Sequence, residues 1–183
     1  MTHRSDDDLA AGLDAIRRSP ATDGTVEMIV RRPAVDAREV LEEGELTPAD
    51  GLVGDHWRAG GSRSTPDGSA DPNRQLTLMN ARVVDLLTGG DRAAWPLAGD
   101  QLYVNLDLST DNLPAGTRLA IGAAVVEVTE PPHTGCAKFG ARFGSAALRF
   151  VNTPEGRALR LRGLNARVVE PGAVRRGDAA RRV

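Results

Sequence analysis

Twenty glycines and 11 prolines are spread along the 183 residues of this chain, and the apolar runs between them are short and alternating. That punctuation favours a loop-rich β architecture of short strands and tight turns over a helical bundle. Val26, Met28 and Val30 alternate with Glu27, Ile29 and Arg31 ahead of Pro33. Gln75 to Met79 reads as a strand, and Leu102 to Leu108 is the cleanest, with four apolar residues on one face. Thr117–Ile121 and Ala124–Thr129 flank Gly122 as a hairpin, and Asn165–Glu170 is a last strand before Pro171-Gly172. Five or six such strands predict a mainly β fold, a closed or nearly closed β-barrel with short peripheral helices.

Helices are expected at three places ahead of the cysteine segment. Ser5, with Asp8 three residues on, forms a capping-box pattern ahead of Leu9, Leu13 and Ile16, and Pro20 stops the run. Residues 1–24 are therefore read as a helical extension whose narrow apolar stripe docks loosely on a domain spanning 25–180. Asn80 can cap a helix over Ala81–Leu87 that ends at Gly89-Gly90. Arg38–Glu43 reads as a short helical piece. Gly60–Asn73 is polar and rich in turn residues, a long surface loop and a candidate lid.

Composition narrows the function classes. There are 23 basic and 25 acidic side chains, a net charge of −2 and six aromatic residues (Phe 3, Trp 2, Tyr 1), which speaks against nucleic acid or a membrane surface as partner. The stretch Leu119–Val126 is the longest without a charge, far short of a membrane span. With no secretory pattern at the N-terminus, a cytoplasmic protein is expected. Charge is nonetheless uneven: residues 133–167 carry six Arg and Lys138 against Glu155 alone. Such a segment suits an anionic small ligand, because guanidinium forks match phosphate and carboxylate oxygens. A solvated basic face is the alternative.

Cys136 is the single cysteine, so no intrachain disulfide and no multi-thiolate metal site can form. It lies in Glu130-Pro131-Pro132-His133-Thr134-Gly135-Cys136-Ala137-Lys138-Phe139, directly after a predicted strand. Gly135 is expected to turn the backbone sharply, and a short helix is expected from Cys136 onward. Phe139 and Phe143 would share one face of it, with Lys138 and Arg142 beside them. A thiol at a helix start, near cations and His133, has the surroundings of a reactive or metal-ligating thiolate. A buried, inert cysteine is the competing reading. Gly51-Leu52-Val53-Gly54-Asp55-His56-Trp57 is a second candidate: Asp55 and His56 could join His133 and Cys136 at a metal, or Asp55 could simply hold a turn.

Taken in order, Gly51-Leu52-Val53-Gly54-Asp55, Gly99-Asp100-Gln101-Leu102, Leu113–Gly122, Val125–Thr129, Cys136 and Val174-Arg175-Arg176-Gly177-Asp178 resemble a MOSC domain, the module found at the C-terminus of molybdenum cofactor sulfurases and in small stand-alone bacterial proteins. The resemblance covers roughly residues 25–180. It implies a barrel of the pyruvate-kinase type and a molybdopterin cofactor, with Cys136 as the thiolate on molybdenum. Candidates for the cofactor's phosphate are Arg74, Lys138, Arg142, Arg160 and Arg162, with His133 and Thr134 beside the metal and Asp55 or His56 for proton transfer. Enzymatic relatives reduce N-hydroxylated small molecules with electrons from a protein partner. Pyridoxal phosphate binding and sulfur carriage, here as a persulfide on Cys136 handed to a partner protein, are also associated with the family. An anion-binding barrel without catalysis is the remaining alternative.

Overall fold

A computed structural model describes residues 2–183 of the chain. Its strands are β1 (Asp23–Arg31), β2 (Glu39–Leu41), β3 (Glu43–Thr47), β4 (Gly51–Leu52), β5 (Leu76–Asn80), β6 (Leu102–Asn105), β7 (Arg118–Ile121), β8 (Ala124–Val128), β9 (Leu164–Glu170), β10 (Gly172–Arg175) and β11 (Ala179–Arg182). The helices are α1 (Asp6–Arg17), α2 (Trp57–Gly60), α3 (Ala81–Thr88), α4 (Ala137–Asn152) and α5 (Pro154–Ala158). The main sheet runs β11-β7-β8-β9-β5-β6-β1-β2, and an added β11–β1 pairing closes seven of these strands into a barrel. Every pair in the ring is antiparallel except β5–β6. Strands β10, β3 and β4 form a small second sheet.

The barrel is filled by Leu76, Leu78, Leu102, Val104, Leu106, Val126, Ala166 and their neighbours. The four apolar residues read as one face of β6 and its extension, Leu102, Val104, Leu106 and Leu108, all point into this core. Tyr103 faces the other way. It joins Met28, Val30, Met79, Phe139, Phe143 and the apolar faces of α1 and α3 in a second core outside the barrel wall.

Strand β1 departs from simple alternation. A bulge between Val26 and Met28, opposite Val104 and Tyr103, inserts one residue. Val26 and Ile29 therefore face the barrel, while Met28 and Val30 face the helices. The expected single face of Val26, Met28 and Val30 is thus split between two cores. A second correction concerns Arg38–Glu43, which supplies β2 and the first residue of β3 instead of a helix. The edge of β1 at Ile29–Arg31 captures this segment in an antiparallel ladder with Glu39–Leu41.

Helix α1 carries the full capping box, with Asp8 N donating to Ser5 Oγ at 3.1 Å and Ser5 N donating to Asp8 Oδ2 at 3.2 Å. Its docking is tighter than its narrow stripe predicts, because Leu9 is completely buried in the second core and Ile16 nearly so. Each is worth about 1.5–3 kcal/mol of burial. Asn80 caps α3 through Arg82 N, and Gly89 ends it in the left-handed conformation at φ 65°. Of the loop expected over Gly60–Asn73, residues 61–71 form no helix or strand, while Gly60 closes α2 and Pro72 and Asn73 open a 3-10 turn; Trp57 Nε1 pins the loop by donating to Asp71 O at 3.3 Å.

Candidate functional site

The site is organised by one turn of backbone. A 3-10 segment, Arg92–Ala98, ends at Gly99, which adopts φ 91°. Four successive carbonyls at this end each accept from a different arginine. Pro96 O accepts from Arg38 Nε at 3.2 Å, Leu97 O from Arg142 Nη1 at 2.9 Å, Ala98 O from Arg162 Nη2 at 2.9 Å and Gly99 O from Arg32 Nη1 at 2.9 Å. Just before them, Trp95 O accepts from the Tyr103 hydroxyl at 2.8 Å. The unpaired carbonyls of a helix end carry partial negative charge, so they attract and orient guanidinium groups.

Three of these arginines, with Lys138, line an open cleft of about 280 Å³ whose walls include Asp36, His56 and Trp57. Arg32 is tied to Asp55 by two hydrogen bonds of 2.9 Å, Nε to Oδ2 and Nη2 to Oδ1. Arg142 Nη2 lies 2.9 Å and Lys138 Nζ 3.8 Å from Asp36 Oδ1. Arg38 forms no ion pair among the described residues. Burial lowers its pKa, and the Arg142 and Arg32 charges add to that effect. Four cations against Asp36 and Asp55 leave the cleft electropositive.

Behind the cleft lies a buried cluster. Asp100 is completely sealed from solvent and accepts from Arg162 Nη1 at 2.7 Å. Burial raises the Asp100 pKa against the opposing pull of Arg162. Its other oxygen, Oδ1, stands 3.5 Å from His133 Nδ1, and neither atom has a hydrogen-bond partner. His133 is held neutral: burial depresses its pKa well below the usual value, helped by the charges of Arg162, Arg32 and Arg74. The Arg162 guanidinium also lies over the Phe139 ring, 5.0 Å from its centre.

The thiol loop is clasped to α4. Gly135 N donates to Asn152 Oδ1 and Asn152 Nδ2 donates to Gly135 O, both at 3.1 Å. Gly135 does not adopt a positive φ. An added Cβ there would meet Val151 Cγ2 at 2.8 Å, so close packing, not the expected sharp turn, demands glycine. Cys136 then occupies the N-cap position of α4, exposed, its side chain bonding no helix N–H. The helix runs longer than expected and is broken at Gly144, φ 91°. Phe139 and Phe143 share its buried face, rings 4.8 Å apart.

The remaining candidates are dispersed. Asp55 binds Arg32 and also accepts from Arg32 N at 2.9 Å and Trp57 N at 3.0 Å, the turn-holding role weighed for it. Arg74 pairs with Asp71 at 3.4 Å outside the cleft. His133, Thr134 and Arg160 line a separate enclosed pocket. Asp55, His56, His133 and Cys136 do not converge on one point: no group of three or more His, Cys, Asp or Glu among the described residues could hold a metal ion. Arg32, Arg38 and Asp36 escaped the sequence reading. The available signal was the Arg31-Arg32-Pro33 run at the end of β1, which places paired cations at a strand terminus.

The fold is that of a closed seven-stranded barrel protein carrying an electropositive cleft and a single exposed cysteine. The family model of the MOSC domain matches residues 69–181, and the chain belongs to that family. Solved structures agree on the fold. The YuaD protein of Bacillus subtilis superposes with a TM-score of 0.63 at 17% identity, over 86% of this chain and 94% of that one. YiiM of Escherichia coli gives 0.56 at 18% identity, over 87% of this chain and 69% of that one. YiiM of Geobacillus stearothermophilus gives 0.56 at 12%, over 87% and 75%. No curated protein matches the chain. No helix among the described residues is long and apolar enough to cross a membrane.

Proposed function

We propose that the protein binds a molybdopterin-type cofactor and reduces a small N-hydroxylated compound, with electrons supplied by a protein partner. The observation that carries this reading is the placement of one exposed thiol at the head of the helix whose Lys138 and Arg142 wall the cationic cleft. The donor set fits such a group. One thiolate is all the chain offers a soft metal at this place, so the metal's other ligands must come with an organic cofactor. The desolvated Arg38, with no carboxylate of its own, fits a phosphate. When bound, the cofactor supplies two-electron redox chemistry that no side chain of this protein can perform.

The chain's own residues then have separable tasks. Arg38, Arg32, Arg142 and Lys138 hold the anionic end, the three arginine forks oriented in advance by the Pro96, Leu97 and Gly99 carbonyls. Cys136 presents its sulfur from a loop fixed by the Gly135–Asn152 clasp. His56, in the cleft wall, is the titratable group placed to deliver a proton. Arg162 and Asp100 act behind the site as a rigid support.

The test is to express the protein in a host that makes the cofactor and to measure molybdenum and phosphate per chain. Stoichiometric metal that is lost in Cys136→Ala and reduced in Arg38→Ala supports the proposal. Metal retained equally by Cys136→Ala overturns it. So does a metal-free protein carrying a 32 Da adduct on Cys136, a mass that corresponds to one sulfur atom and would mark a sulfur carrier.

A further inference from the structure

We infer that the enclosed pocket beside His133 is a binding site for a small monoanion, a carboxylate or inorganic oxyanion, gripped by Arg160. The pocket holds about 190 Å³ and shares no lining residue with the cationic cleft. At about 30 Å³ per water, that is room for roughly six water-sized groups. Its walls come from the loop carrying His133 and Thr134, from Arg157 and Arg160 after α4, and from the start of β9.

Arg160 is built into this wall at some cost. It is a non-glycine residue at φ 47°, a conformation that L side chains seldom adopt. Its N–H donates to Arg157 O at 3.1 Å and its carbonyl accepts from Gly163 N at 2.7 Å, closing a tight turn. One side-chain nitrogen, Nη1, is anchored on Leu113 O at 2.6 Å and Leu108 O at 3.4 Å. Nε and Nη2 donate to no described protein atom, and no carboxylate pairs with the group. Burial lowers its pKa, and no neighbouring charge among the described residues opposes that effect. A half-buried guanidinium with one nitrogen fixed and two donors free is pre-oriented for an oxyanion.

The rest of the wall sets the charge and the size. Arg157 is exposed, free of ion pairs among the described residues, and lies at the same pocket. Glu130 lines it too, so two cations face one carboxylate and the balance is a single positive charge. That balance matches a monoanion and disfavours a dianion. The Thr134 hydroxyl makes no hydrogen bond among the described residues and is available to a ligand. His133 presents a neutral imidazole, which adds no charge to the count. The site is independent of the cofactor proposal and needs no metal.

The experiment is a titration of the metal-free protein with acetate, and separately with inorganic phosphate at pH 8, followed by amide chemical shifts. Saturable acetate shifts at Thr134, Arg157 and Gly163, with none at Lys138 or Arg142, are expected. Arg157→Ala should weaken acetate binding about threefold and Arg160→Lys about tenfold, since lysine keeps the charge but not the fork. If Arg160→Lys fails to fold, Arg157→Ala and Thr134→Val carry the test. Shifts confined to the cleft, no saturation, binding unaffected by these variants, or phosphate dianion binding more tightly than acetate would each overturn the assignment. Loss of molybdenum binding in the cofactor experiment leaves this result untouched.

Discussion

Asp36 holds its carboxylate 2.9 Å from the Arg142 guanidinium, inside the cleft that a ligand's phosphate would enter. Asp36 sits at φ 61° on the connection between β1 and β2, and its side chain is 61% exposed. On the proposed reading, the protein keeps a weak internal anion where the cofactor's phosphate would sit. Replacing Asp36 by Asn, which tolerates this backbone, should tighten pyrophosphate binding to the cofactor-free protein about threefold to tenfold. Isothermal titration at low salt measures it, and the gain should shrink in 0.5 M salt, a value chosen as roughly a 4 Å screening length. Unchanged affinity would show that Asp36 does not compete.

Asp100 and Arg162 make a different kind of pair, sealed from solvent on both sides. Asp100→Asn should destabilise the fold by about 3–5 kcal/mol, because Arg162 would remain charged and buried without its counterion. The double change Asp100→Leu with Arg162→Met should recover much of that loss. Urea denaturation of the parent and the two variants distinguishes an ion-pair cost from a simple packing defect, which the double variant would not repair.

Removing the clasp on the thiol loop should loosen it without unfolding the barrel. Asn152→Ala deletes both hydrogen bonds to Gly135 and is expected to cost about 1–2 kcal/mol. Hydrogen exchange at the Gly135 amide should accelerate about tenfold or more while the β5 and β6 amides keep their protection. Equal acceleration throughout would mean that the clasp supports the whole domain.

His133 gives a pH signature. Its folded-state pKa is depressed, so below about 6.5 the unfolded chain binds a proton that the native state refuses. Stability should therefore fall as pH drops from 7 towards 5, by up to about 1 kcal/mol per pH unit from this group. Asp100, whose pKa is raised, contributes with the opposite sign, and the diagnostic quantity is the difference between the parent and His133→Gln. The variant should show a flatter acid limb; parallel curves would refute a neutral His133 in the native state.

Much of the barrel was legible in the residues. The inward face of β6, the β7–β8 hairpin and both helix caps rest on local rules, namely alternation, a two-residue turn and a side chain within three positions of an N–H. What escaped depends on distant partners. The bulge in β1 answers to Val104 and Tyr103, and the strand at Glu39–Leu41 forms because β1 offers an edge. The candidate site was half legible: Cys136, Lys138 and Arg142 are local to one helix, whereas Arg32 and Arg38 come from the two ends of the connection between β1 and β2. Arg160 and Arg162, two positions apart in the chain, went to different duties, one lining a pocket and the other locked under Phe139.

The turn at Pro96–Gly99 has a consequence for variation. What it gives to the four arginines is backbone oxygen, and every amino acid possesses one. The 41% exposed Leu97 side chain can be exchanged while the spacing of the guanidinium groups persists, whereas Gly99, at φ 91°, is held to glycine. Insertion or deletion of a single residue would instead displace all four cations at once. The cleft is thus tolerant of spelling and intolerant of length.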